Sequence, residues 1–276
     1  MEIRFQNSPK EVAGMDTADL RASFLVNANQ NKDTIQLVYS HYDRVIIGHI
    51  KPVLQQLELP VEEELKADYF LERREAGIIN LSGEGVVIAD GVEYALSKLD
   101  CLYLGKGTRS VSFQSKDTEQ PAYFFLLSVP AHQTYPNTKM SNAAATPVHL
   151  GDMLTSNKRT IYKYIHLDGI KSCQLVMGLT ILEPGSVWNS VPPHTHTRRM
   201  EVYCYFDVAA KERVFHFMGE PRETRHIVMQ NYDAVISAPW SMHFGCGTSN
   251  YGFIWGMAGE NQLFADMDQV SVPEIL

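Results

Sequence analysis

The strongest constraint on this chain is the texture of its sequence from Ala76 onward. Short runs rich in Val, Ile, Tyr and Phe are cut at close intervals by Gly, Asn and Asp. Residues 77–81, 85–88, 100–104, 110–113 and 122–127 are such runs. Residues 174–181, 201–208, 214–218, 226–230, 234–237 and 253–256 continue the series. Their length and their β-branched and aromatic content are those of strands. Asp90-Gly91 is a two-residue hairpin signal between two of them. No sustained alternation of strand and helix occurs, which argues against a doubly wound parallel sheet. The pattern predicts an all-β-dominated chain of antiparallel barrels or jelly rolls with a few short helices.

Two early segments have helical character. Asp16 or Thr17 can cap a helix whose apolar face is Leu20, Phe24 and Leu25. After Pro60, Val61, Leu65, Tyr69 and Phe70 recur near the helical period. Glu62, Glu63 and Glu64 stand in the first turn, where the helix dipole favours anions. Residues 132–158 are rich in Thr, Asn, Pro, Ser and Ala and separate two strand-rich halves. The expected domains are therefore 1–140 and 141–276. Asp100-Cys-Leu-Tyr-Leu-Gly105 resembles Asp233-Ala-Val-Ile-Ser-Ala238, a trace of internal duplication. Ten residues after Asp233 stands His243, and ten after Asp100 stands Ser110.

Asp and Glu number 32 against 24 Lys and Arg, a formal charge of −8. That balance argues against nucleic acid and against an anionic membrane as partner. The longest apolar stretch, around residues 123–131, falls short of the about 20 residues that a membrane helix needs. Cys101, Cys173, Cys204 and Cys246 show no CxxC spacing, and residues 1–16 lack an apolar signal core. Reduced, buried thiols and a cytoplasmic location are the expectation.

Of ten His, three stand out with a Glu: His194-Thr-His196-Thr-Arg-Arg-Met-Glu201, then His243 forty-two residues on. Residues i and i+2 of a strand share a face, so His194 and His196 can aim together. A turn over residues 197–200 brings Glu201 back opposite them, and His243 opens a later strand after Ala238-Pro-Trp240. Four such donors converging in a barrel mouth suit a divalent transition metal. His41, His49, His132, His149, His166, His216 and His226 show no comparable spacing.

HxHx4E followed by a later His resembles the cupin superfamily. Longer blocks resemble one family within it, the 5-keto-4-deoxyuronate isomerases, also called 4-deoxy-L-threo-5-hexosulose-uronate ketol-isomerases. These are Leu71-Glu-Arg-Arg-Glu-Ala-Gly-Ile-Ile-Asn80, Gly185-Ser-Val-Trp-Asn189, the His194–Glu201 motif, residues 217–226 and residues 247–261, with Asp43-Arg-Val-Ile-Ile-Gly48 also fitting. The resemblance implies a bicupin, a homohexamer, and one zinc ion per subunit held by His194, His196, Glu201 and His243. It also implies interconversion of 5-dehydro-4-deoxy-D-glucuronate and 3-deoxy-D-glycero-2,5-hexodiulosonate in the breakdown of pectin and related uronates.

That reaction moves a carbonyl between C1 and C2 through an enediol. A metal can stabilise charge on oxygen, and a base must move a proton. Glu201, Glu220 and Glu260 are the candidate bases. Arg198, Arg199, Arg222 and Arg225 can pair with the substrate carboxylate, because a planar guanidinium matches it with two hydrogen bonds. Trp188 and Trp240 flank the metal motifs and can wall the pocket, while core packing suits Trp255 better. The N-terminal half, lacking HxHxnE, is expected to serve packing and assembly without metal. An iron-dependent cupin dioxygenase and a non-catalytic sugar-binding bicupin use the same donors.

Overall fold

The computed structural model describes residues 1–276. Arg4–Ala28, Pro147–Lys163 and Met177–Leu276 form one compact unit; Met1–Ile3, Asn29–Thr146 and Tyr164–Val176 form the other. The chain therefore does not divide at a single point near residue 140. The N-terminal segment joins the metal-motif unit through local contacts. Asp16 caps the helix Thr17–Phe24 by accepting from the Asp19 amide, and Leu20 and Phe24 are buried. Leu25 and Val26 then pair with Val235 and Ala234, and the Ala28 amide donates to Asp233. No helix is long and apolar enough to cross a membrane.

In the unit containing residues 29–146, five central strands run in the order Thr34–Ser40, Ile46–Lys51, Phe124–Pro130, Arg74–Asn80, Cys101–Leu104. A second sheet orders Leu57–Glu58, Val111–Ser115, Gly85–Ala89, Val92–Leu96. The pairings are antiparallel. Strand alternation sends Ala76, Ile78, Phe124 and Leu126 from one sheet against Val87, Ala89, Val111 and Phe113 from the other. Asp90 and Gly91 both have positive φ, the backbone of the hairpin that their sequence predicts. The helix expected after Pro60 is a single 3-10 turn, Glu63–Leu65, ended by Lys66 in the left-handed region. Phe70 and Leu71 enter the core and Leu65 packs against it without a helical face, while Val61 stays exposed.

The other unit repeats this plan. Its main sheet contains Arg159–Ile165, Val176–Leu182, Gly252–Gly259, Arg199–Phe206 and Ala234–Ser237 in that order. Its second sheet orders Glu223–Met229, Val214–Glu220, Met242–Gly247. The five strands of the two main sheets match one for one, the second sheets share three strands, and the similar segments 100–105 and 233–238 carry corresponding strands. The fold is a bicupin, two antiparallel jelly-roll units in one chain. Ala76 pairs with Leu104 as Glu201 pairs with Ser237, so Ala76 stands where the other unit has Glu201 and packs into the core. The strand Val111–Ser115, which corresponds to Met242–Gly247, carries no His.

Candidate metal centre

The metal motif occupies a corner of the second unit. His194 and Thr195 form a short strand against Gln269 and Asp268. The chain turns at His196, whose carbonyl accepts from the Arg199 amide at 3.1 Å, and enters the main sheet at Arg199. The strand Arg199–Phe206 is buried on both faces. Alternation places Arg199, Glu201, Tyr203 and Tyr205 on the face opposite Met200, Val202, Cys204 and Phe206. His243 is the second residue of Met242–Gly247 in the other sheet. One donor set is thereby drawn from three strands.

The ligand atoms of His194, His196, Glu201 and His243 lie within 4.8 Å of one another. Glu201 Oε2 stands 2.7 Å from His243 Nε2 and 2.9 Å from His196 Nε2, and the Nε2 atoms of His243 and His194 are 3.1 Å apart. His196 Nδ1 donates to the Arg199 carbonyl at 2.9 Å, and His243 Nδ1 to the Ser241 carbonyl at 3.2 Å. A carbonyl can only accept, so these bonds fix the proton on Nδ1 and turn the Nε2 lone pairs inward.

Lone pairs and a carboxylate facing one another need positive charge between them. A single proton on His196 serves one contact; a divalent cation serves all four donors. The residues fit such an ion. Burial and the neighbouring His243 push His194 down to about 3, keeping it a neutral donor. Burial alone would raise Glu201, but the His243 and His196 imidazoles override it and hold the carboxyl below its ordinary range. Burial would lower His196, and its bond to Glu201 outweighs this and raises it.

The cluster opens on a cavity of about 230 Å³, lined by His194, Glu201, Arg159, Arg199, Tyr203 and Trp255 among others. Of the expected substrate residues, Arg199 alone lines it. Its guanidinium donates to the Leu263 and Asp266 carbonyls at 2.7 and 3.1 Å. Arg198 binds Asp266 at 2.7 Å and Asp268 at 2.9 Å. Both arginines hold the segment that carries Phe264, Met267 and Gln269 against the cavity. Arg222 and Glu220 lie on a separate surface depression with Glu223 and Glu274. Arg225 pairs with Glu223 at 2.7 Å, and Glu260 is exposed.

Trp188 stacks on Phe217 and Phe244 at 6.1 and 6.4 Å. Those residues point away from His216 and His243 on their strands, so this ring packs outside the cavity. Trp240 donates to the Asn7 carbonyl at 3.3 Å and does not line the cavity. Trp255, expected in the core, is buried and also forms cavity wall, with Nε1 donating to Thr180 Oγ1 at 3.1 Å. Arg159, Tyr203 and Ser190 carry no motif that marks them as site residues. Strand register brings Arg159 and Tyr203 to the cavity, and the loop before His194 brings Ser190. Tyr203 sets its ring edge-on to His243 at 5.5 Å and its hydroxyl 3.0 Å from Ser190 Oγ. His216 is also drawn in. It is fully buried, with Nδ1 2.8 Å from the Tyr205 hydroxyl.

The comparisons agree with this architecture. The model of the KduI/IolB family matches residues 24–272. A 4-deoxy-L-threo-5-hexosulose-uronate ketol-isomerase of Shouchella clausii is 52% identical over 100% of both chains. Among solved structures, an IolB-like protein from Salmonella typhimurium LT2 superposes with a TM-score of 0.70 at 14% identity, covering 90% of this chain and 96% of that one. Oxalate decarboxylase of Bacillus subtilis, described as having Mn(II) centres, gives 0.55 at 11% identity over 83% and 71%. The last two likenesses concern the fold alone. By family model and by full-length identity, the chain belongs to the KduI/IolB family.

Proposed function

We propose that this chain is a metal-assisted ketol-isomerase that interconverts 5-dehydro-4-deoxy-D-glucuronate and 3-deoxy-D-glycero-2,5-hexodiulosonate. The observation that carries the reading is the convergence of His194, His196, Glu201 and His243 beside a cavity that His194 and Glu201 line. The names of the full-length relatives give the substrate class. In this reading the four residues hold one zinc ion per subunit. The ion would supply Lewis-acid stabilisation of negative charge on the substrate oxygens.

The chain's own residues do the rest. Ile161, Phe253, Trp255, Met257 and Phe264 wall the cavity and exclude water. Burial raises the Tyr203 hydroxyl well above its ordinary pKa, so it stays protonated and donates to a substrate oxygen. The proton leaving C2 must return at C1 while the O2 proton is exchanged for one on O1. Glu201 is the one carboxylate on the cavity wall, and Glu220 and Glu260 do not reach it. Glu201 is therefore the carboxylate we assign to moving the C2 proton, a role that requires it to leave the ion while it carries that proton.

The other unit, with Ala76 where this one has Glu201 and no His on the strand Val111–Ser115, serves packing and assembly in this reading. The homohexamer and the pectin pathway follow from the family resemblance and stand with it, and the cytoplasmic location is proposed from the cysteine usage and the polar N-terminal residues. The test is NMR of metal-analysed protein acting on 5-dehydro-4-deoxy-D-glucuronate in D2O. The ketose product, formed without oxygen uptake, supports the proposal. Oxygen consumption with Fe(II), or ligand-dependent stability without product, overturns it in favour of a dioxygenase or a binding protein.

A further inference from the structure

The cavity wall holds two guanidinium groups in different circumstances. Arg199 is 1% exposed; its Nη atoms donate to the Leu263, Phe264 and Asp266 carbonyls, and its buried Nε has no partner. Arg159, at the start of the strand Arg159–Ile165, is half-buried and donates from Nη1 to the Asn157 carbonyl at 2.9 Å. No Asp or Glu pairs with it. The one carboxylate on the wall, Glu201, is already engaged by His196 and His243. A guanidinium does not shed its charge, so this cation sits partly desolvated with no anion beside it. Burial lowers its pKa, the sign of that uncompensated desolvation.

Its place in the sheet adds a second argument. Arg159–Ile165 is separated from Arg199–Phe206 by Val176–Leu182 and Gly252–Gly259. Arg159 and Glu201 stand three strands apart and line the same cavity, with Thr180, Phe253 and Trp255 as a largely apolar part of its wall. A six-carbon keto-acid carries a reacting C1–C2 end and a carboxylate, and the wall offers one group for each, the donor cluster and a guanidinium with no anion beside it.

We propose that Arg159 is the carboxylate-recognising residue of the cavity, receiving the C6 carboxylate of a uronate while the C1–C2 end meets the His/Glu cluster. This rests on the ketol-isomerase reading for the identity of the sugar. Anion recognition by Arg159 stands on the geometry alone.

Arg159→Met and Arg159→Lys, checked for unchanged metal content and melting temperature, are compared with wild type in two assays. In turnover of 5-dehydro-4-deoxy-D-glucuronate, Arg159→Met should raise KM by about 10²-fold with kcat changed less than about threefold, because an interaction equal in ground and transition states is lost. Arg159→Lys, keeping the charge without the planar fork, should fall between. In calorimetric titration, wild type should bind D-galacturonate more tightly than D-galactose, and Arg159→Met should lose that preference. Equal uronate affinity in wild type and Arg159→Met overturns the assignment, with or without turnover, as does a wild type that does not prefer the acid. An Arg159-dependent preference without isomerisation upholds the assignment and rejects the isomerase reading.

Discussion

Lowering the pH from 7 to 5 should weaken the unit containing residues 29–146 through His49. This ring is 1% exposed, with Nδ1 3.1 Å from the Tyr123 hydroxyl and no partner for its buried Nε2. Burial pushes its pKa down to about 3. A group with a depressed folded pKa binds fewer protons folded than unfolded, so stability falls as pH drops below the unfolded value of about 6.5. At pH 5 the unfolded ring is almost wholly protonated while the folded one stays neutral, a loss of about 2 kcal/mol relative to pH 7. Any folded value below about 4 gives the same result, so the magnitude does not hang on the depth of the shift. Against a total of about 5–15 kcal/mol this is large.

The assay is urea denaturation of wild type and His49→Gln at both pH values. Gln keeps a partner for Tyr123 and cannot titrate. The variant should lose about 2 kcal/mol less than wild type between pH 7 and 5. A double difference below about 0.5 kcal/mol would refute the reasoning, since the folded ring would then be taking up the proton.

Three further outcomes follow from the site. His243→Ala removes one of four donors and should abolish zinc retention and isomerisation while the far-UV spectrum persists; full activity in a metal-free variant would reject a catalytic metal. Gly178→Ala would place a Cβ 2.3 Å from Trp255 Cζ2 and 2.4 Å from the Tyr162 carbonyl, so the ring must move against the cavity. A stability loss of about 1–3 kcal/mol and a raised KM are expected from denaturation and kinetics. Glu220→Gln and Glu260→Gln should each keep activity within about twofold, because neither side chain lines the cavity; a 10²-fold loss in either would place a base outside the wall described.

The bicupin and the metal donors were legible because each rests on short-range regularity. Strand alternation, the Asp90-Gly91 turn and the His194-x-His196 spacing are properties of a few adjacent residues. The false helix after Pro60 shows the limit of that information. Leu65 and Phe70 recur at helical spacing, yet they are buried by the barrel core around an irregular loop. The N-terminal segment shows the same limit at longer range. Leu25 reads as the end of a helix face, and it is the pairing of Leu25 and Val26 with Val235 and Ala234 that joins this segment to the unit carrying the metal motif.

The sequence by itself thus determined the fold class, the duplicated plan and which four residues can hold an ion. The tertiary structure decided which charged and aromatic residues share that ion's cavity. Arg198, Trp188 and Trp240 are close to the metal motifs in sequence and, like Arg222, do not line the cavity. Arg159, Tyr203 and Trp255 reach the cavity because strand order and register bring them there. Proximity along a chain predicts local geometry, whereas the wall of a barrel is assembled from strands distant in sequence, and only their pairing says which side chains meet.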